Sequence, residues 1–523
     1  MNRTTLSLFA AATALAAVTG FAVLTEPDGG DAPAAVVKAP TRLPVERSTL
    51  LCPAPSTSEV AETVYTSFTP AGSTSGSASG DAAGRAELKP ATASAADDTT
   101  ATPKKKDEEA AEGAEGAKKP AAADKPVVAL AQPGKPVSAE ANGGDAPALV
   151  GTASGRLAPG WTTQQTTAVP AGGARGLLGV GCTPPDTDFW FPGASTAKER
   201  QDYVHLTNPD DTAVVADIEL FGPNGALKSQ LAEGIPVPAR SSVPVLLSTL
   251  TTDPAAPDVT VHVTTRSGRV GAVVRSADET AGSDWLPAST DPAATLVLPG
   301  IPADATSVRL VAYAPGEDDA DLKVQLATGT GTIVPAAARE LHVKSGMTAS
   351  VDLKDVTRGE AGALILSPAQ KGRATPVVAA LRVVRGKGDK QEVAFIPATG
   401  PVGQRATVAD NRAEGTTLSL TAPTATAQVK VTASAGTEGG TPASKTYTVK
   451  AGTTLPVEPP VPAGLKGSYA LTVETVSGGP VHAARTLTVP DDGVPMFTVQ
   501  TLADDRGTVE VPAARQDLSV LED

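Results

Sequence analysis

Aromatic side chains are scarce, at 3% of 523 residues. One large core built on stacked rings is therefore excluded, and the apolar surface has to be divided among small sandwiches of Val, Ala and Leu. Basic excess is lacking as well. The formal net charge is -14 with a sequence pI near 4.9, and no basic patch is interleaved with aromatics. Such a surface is repelled by nucleic acid and by anionic headgroups, so nucleic-acid binding is not expected. There are 2 cysteines and 4 histidines, and His205, His262, His342 and His482 are neither near a Cys nor in an HExxH arrangement. This excludes the usual zinc spacings and leaves the histidines as strand-surface or half-buried residues, with no metal or cofactor expected. Gly (50) and Pro (46) punctuate the chain too often for long helices.

One long apolar run is present. Leu6 to Leu24 carries no charge, follows Arg3 and is followed by Glu26, Asp28 and Asp31. A positive start, a run near span length and an acidic exit fit a secretory signal or an uncleaved anchor. The remainder is then expected outside the membrane, secreted or tethered by this helix. Cys52 and Cys182 both lie beyond the run, and an even count in an exported chain makes them disulfide candidates. Two free buried thiols are the competing reading.

The organisation reads as follows: a signal or anchor over 1–25, a tether over 26–46, and an irregular N-terminal β domain over 47–195. That domain contains a stretch of about 91–125, rich in Ala, Lys and Glu, with no apolar periodicity, read as a disordered insertion. Three segments then share one layout, over 196–290, 291–402 and 403–523. Each opens with a strand, a turn and a strand, as in Asp202–Gly225, Ser307–Gly331 and Thr416–Gly440. A strand–turn–strand follows (Gly234–Leu250, Glu340–Val356, Thr446–Val461), and then a hairpin (Asp258–Ala277, Gly362–Val384, Gly467–Val489). Apolar and polar residues alternate with period two, as in Asp217-Ile218-Glu219-Leu220. The fold class expected is all-β: three sandwich repeats of immunoglobulin or fibronectin type III character behind the irregular β domain.

Chemistry is hard to find. No GxSxG elbow or GxxxxGK[ST] loop occurs, and nothing places a His beside a candidate Ser. Acidic runs at Asp210–Asp211 and at Glu317, Asp318, Asp319 and Asp321 lack the alternating ligands of a calcium loop and read as solvated turns. The most unusual stretch is Thr183 to Gly193, where Phe189, Trp190 and Phe191 are adjacent. In a strand the two Phe face one side and Trp190 the other. Trp190 is then either packed across a domain junction or a stacking platform for a sugar or peptide, with Asp186 and Asp188 accepting hydrogen bonds.

The apolar amino end, STLLCP around Cys52, GLLGVGCTPPDTDFWFPG around Cys182 and HLTNPDDTAVVADIELFGPNG resemble a family of actinobacterial (Streptomyces-like) exported or membrane-anchored proteins of unknown function. The resemblance implies an envelope or secreted location and carries over no catalytic or ligand residue. Together these features point away from an enzyme. They point to an extracellular scaffold, adhesion or interaction module whose partner is an envelope protein or glycan. The alternatives are a carbohydrate-binding protein and an accessory subunit of a membrane enzyme such as a glycosyltransferase.

Overall fold

The structure is a computed structural model that describes residues 41–72, 84–93, 125–230, 233–370 and 372–512. The expected export segment and residues 94–124 of the expected insertion lie outside the described residues. What is described is all-β: the only helical pieces among the described residues are three-residue turns at Gly155–Leu157, Leu247–Thr249 and Gly388–Lys390. None of its helices is long and apolar enough to cross a membrane.

The chain divides into two compact units. The smaller, up to Leu43 and from Val509, holds most of a ribbon in which Thr41–Pro44 pairs with Thr508–Val511. Arg42 donates to Glu510 there at 2.8 Å. The tether expected over 26–46 is corrected at this end, because Thr41–Pro44 is a strand. Four residues ending in Pro carry too little pattern to read as one.

The larger unit, Pro44–Thr508, contains four β-sandwiches with one topology. In the first the eight strands are Arg47–Cys52, Glu62–Phe68, Ala86–Pro90, Val128–Leu130, Val137–Asn142, Leu149–Ser154, Thr162–Val169 and Gly176–Gly181. One sheet has the order first–sixth–third–fourth, and the other eighth–seventh–second–fifth. The same two orders recur over Asp188–Leu286, Leu296–Pro397 and Arg405–Leu502. The irregular N-terminal domain is thus corrected to a regular member of a set of four. Its layout was hidden because the undescribed stretch separates its third and fourth strands, which are only five and three residues long. The second sandwich also begins earlier than residue 196, since its first strand, Asp188–Ala194, pairs with Val259–Thr265.

Local sequence explains the strands. Val214–Gly222 alternates buried and exposed positions, with Ile218 and Leu220 inward and Asp217 and Glu219 outward. The first strands of the second and third sandwiches bulge at Pro192–Gly193 and Pro299–Gly300, where both glycines take φ +97°. The bulge at Gly300 brings backbone onto the fourth sandwich: a Cβ there would sit 2.7 Å from that of Ala484. Only glycine permits both the dihedral and the approach.

The four sandwiches close a ring. Their eighth strands, Gly176–Gly181, Gly282–Leu286, Glu392–Pro397 and Phe497–Leu502, converge, each packing on the next and the last on the first. Every seam is apolar in part. Leu178 and Val180 pack with Val273 and Trp285 between the first and second sandwiches. Phe395 of the third joins the core of the second, and Phe497 of the fourth joins the core of the third. Leu177 packs with Leu487 and Met496, and Phe68 with Ala409 and Ala470, between the first and fourth. The connections are tied down: Thr290 N–H donates to Ala398 O at 2.9 Å and Val402 N–H to Val481 O at 2.8 Å. The Cys52–Cys182 disulfide is present and joins the end of the first strand of the first sandwich to the residue after its eighth.

Candidate functional site

The expected aromatic site lies on the first strand of the second sandwich. Phe189 and Phe191 point into that sandwich's core, as period two requires, and Trp190 points the other way. There it packs with Tyr313 and Val378 of the third sandwich and with Phe221. Its ring stacks on His262, with centroids 3.6 Å apart and planes 8° apart. Only 8% of Trp190 is exposed, which leaves little ring surface for a ligand to stack on. Asp188 is exposed and bonds His262 Nε2 at 3.0 Å, while Glu219 bonds Nδ1 at 3.3 Å. Asp186 is exposed too, and its carboxylate accepts the Thr187 N–H. The stretch therefore holds two sandwiches together through Trp190, with Asp188 fixing the histidine beneath it.

The other histidines stand apart. His205 is buried edge-on to Trp285, with neither ring nitrogen bonded, and burial with nearby Arg275 lowers its pKa to about 3. His482 is buried with Nδ1 near Thr399 O at 3.0 Å, and burial lowers its pKa. His342 meets Asp321 at 2.7 Å on the surface. Among the described residues no group of three or more His, Cys, Asp or Glu is placed to hold a metal ion.

The polar residues that sequence reasoning missed lie at the centre of the ring. Asp284, from the second sandwich, accepts the Gly179 N–H of the first at 3.0 Å and the Thr498 hydroxyl of the fourth at 3.0 Å. Glu392, from the third, accepts the Leu177 N–H of the first at 3.0 Å, with Arg175 at 3.9 Å. These two carboxylates bridge sandwiches that are not neighbours in the ring. Burial raises the Asp284 pKa well above the usual range and that of Glu392 to about 8. A Cβ at Gly179 would displace the Gln500 amide and lie 2.5 Å from the Thr498 methyl, so the hydroxyl that bonds Asp284 would have to shift. Each acid looks in sequence like an ordinary polar strand residue, so nothing flagged it.

A cleft of about 650 Å³ opens at the seam of the third and fourth sandwiches. Ile301, Asp304, Glu360 and Arg385 line one side, and Thr417, Ser419, Thr486 and Thr488 the other.

Four sandwiches of one strand order, closed edge to edge around buried carboxylates, define the class: a ring-shaped assembly of tandem β-sandwiches. The chain belongs to the DUF5719 family, a family of unknown function, whose sequence profile matches residues 137–460, more than half of the chain. A search among curated proteins finds no match.

Proposed function

We propose that the protein is a non-catalytic interaction module displayed outside the cytoplasmic membrane, with its N-terminal apolar segment as export signal or anchor. The observation that carries this reading is the ring itself. Four seams are buried, and both ends of the larger unit leave together, with the Val45 N–H donating to Gly507 O at 3.1 Å. A compact head whose chain enters and exits at one point suits mounting on a stalk. The Cys52–Cys182 bridge supports an oxidising compartment. On this reading each sandwich is an immunoglobulin- or fibronectin-like variant, and the actinobacterial resemblance describes the protein's origin.

The test is affinity capture of the full chain from membranes of its host, with mass spectrometry of what is retained. One dominant membrane protein supports a scaffold or accessory subunit, and retention on envelope glycan without a protein supports a glycan anchor. A reproducible hydrolytic activity, lost when one His or carboxylate is replaced, would overturn the reading.

A further inference from the structure

The four seams are built on equivalent strands, so they can be compared position by position. In the third sandwich Arg309 lies opposite Arg382, and in the fourth Thr417 lies opposite Thr486. Both pairs sit at the same distance from the pair that opens the seventh strand, Tyr313–Val378 in one and Thr421–His482 in the other. Across the seam Asp258 and Ala361 each stand one residue before a sixth strand. Asp278 and Arg385 each end a seventh strand.

These equivalences decide what fills each seam. Between the second and third sandwiches, Arg309 Nε donates to Asp258 at 2.8 Å and Arg382 to Asp278 at 2.6 Å, with Ser350 also bonded to Asp258. Two long cations and two carboxylates close that seam. Between the third and fourth the same positions carry Thr417 against Ala361 and Thr486 against Arg385. The threonines are too short to cross, and the result is the 650 Å³ cleft. Arg385 does not fill it, because it is held back by Asp304 at 2.7 Å, by Thr488 at 3.2 Å and by the face of Phe497.

We infer that this cleft is a binding site for an uncharged polyhydroxylated ligand, a sugar ring of a short neutral glycan. The hydroxyls of Thr417, Ser419 and Thr486 line it on two neighbouring strands, and among the described residues none of them has a hydrogen-bond partner. Opposite them Pro302, Ala303 and Ala361 give an apolar wall. Hydroxyls beside an apolar wall match a pyranose, whose hydroxyls project from its edge and whose C–H faces are apolar. Charge selects against anions: the two carboxylates Asp304 and Glu360 outnumber Arg385, whose donors already serve Asp304 and Thr488. An added peptide strand is excluded, since the second and seventh strands that form the floor are both flanked within their sheet. The inference does not rest on where the protein is held, so it can fail while the proposed display role stands.

Saturation-transfer NMR on the full chain, with cellotriose, maltotriose and chitotriose as neutral probes and trigalacturonate as anionic control, tests it. At least one neutral probe is expected to bind with Kd of about 1 mM or tighter. Ser419→Ala with Thr486→Val should weaken it about tenfold without a change in Tm. Ala361→Asp with Thr417→Arg, which copies the closed seam, should abolish it. The inference is overturned if no neutral probe binds up to about 10 mM. It is equally overturned if trigalacturonate binds more tightly, or if the hydroxyl-deleted variant keeps full affinity at unchanged Tm.

Discussion

The carboxylate of Glu392, in the third sandwich, accepts the backbone N–H of Leu177, in the first, at 3.0 Å. The backbone of Gly176 and Gly282 packs against this acid, and an added Cβ there would lie 3.1 Å and 2.8 Å from the carboxylate oxygens. Burial favours the neutral form of an acid so enclosed, and this ties the stability of the ring to pH.

Burial raises the Glu392 pKa from 4.5 to about 8, so the folded protein binds a proton that the unfolded chain releases. The stability this contributes is complete below the unfolded value and is lost as pH rises from about 4.5 to about 8, at most about 5 kcal/mol. Asp284 acts in the same sense. His205, lowered to about 3, has the opposite slope on the acid side, its contribution being lost as pH falls below its ordinary value of 6.5. Thermal melts of wild type and Glu392→Gln should therefore converge below about pH 4.5 and separate progressively up to about pH 8, with the variant more stable. Parallel curves would remove Glu392 from the account.

Reduction of Cys52–Cys182 opens a loop spanning 130 positions. Chain entropy puts the loss at about 5 kcal/mol. Melting with and without reductant, with thiol labelling to confirm opening, measures it. An unchanged Tm in the fully labelled protein would show that the bridge does not constrain the unfolded chain.

Trp190→Ala removes a ring packed between two sandwiches and should cost about 3–4 kcal/mol. Urea unfolding gives the number, and an undisturbed Cm would mean the tryptophan is not structural.

Asp278→Asn leaves Arg382 without its charge partner in the second seam and should cost about 2 kcal/mol. Thr486→Ala, at the position of the open seam that matches Arg382, should cost under about 0.5 kcal/mol. Equal costs in chemical denaturation would contradict the difference between the two seams.

Six of the eight strands in each of the last three sandwiches were legible, and the missing ones are instructive. Strands such as Val214–Gly222 and Ala320–Thr328 have one wet face, so they alternate. The first and eighth strands do not. Leu296–Ile301 and Glu392–Pro397 are buried throughout, because one face meets their own sandwich and the other meets the next. A strand covered on both faces loses its period-two signal. The elements that close the ring are therefore those that local pattern hides, and Asp284 and Glu392 are hidden with them. Trp190 was conspicuous only because rings are rare in this chain, and the seventh strand of the third sandwich, which covers it, lies far away in sequence.

Ring closure is tested most directly by amide exchange at single residues. The N–H groups of Leu177 and Gly179 are bonded to carboxylates of the third and second sandwiches, so their protection depends on the ring. Native-state hydrogen exchange should find both exchanging as slowly as the amides of the sandwich cores at acid pH, and becoming faster together as pH is raised from about 4.5 to about 8 once the intrinsic rate is divided out. If both exchange at the rate of exposed loop amides while the cores stay protected, the four sandwiches do not close on one another.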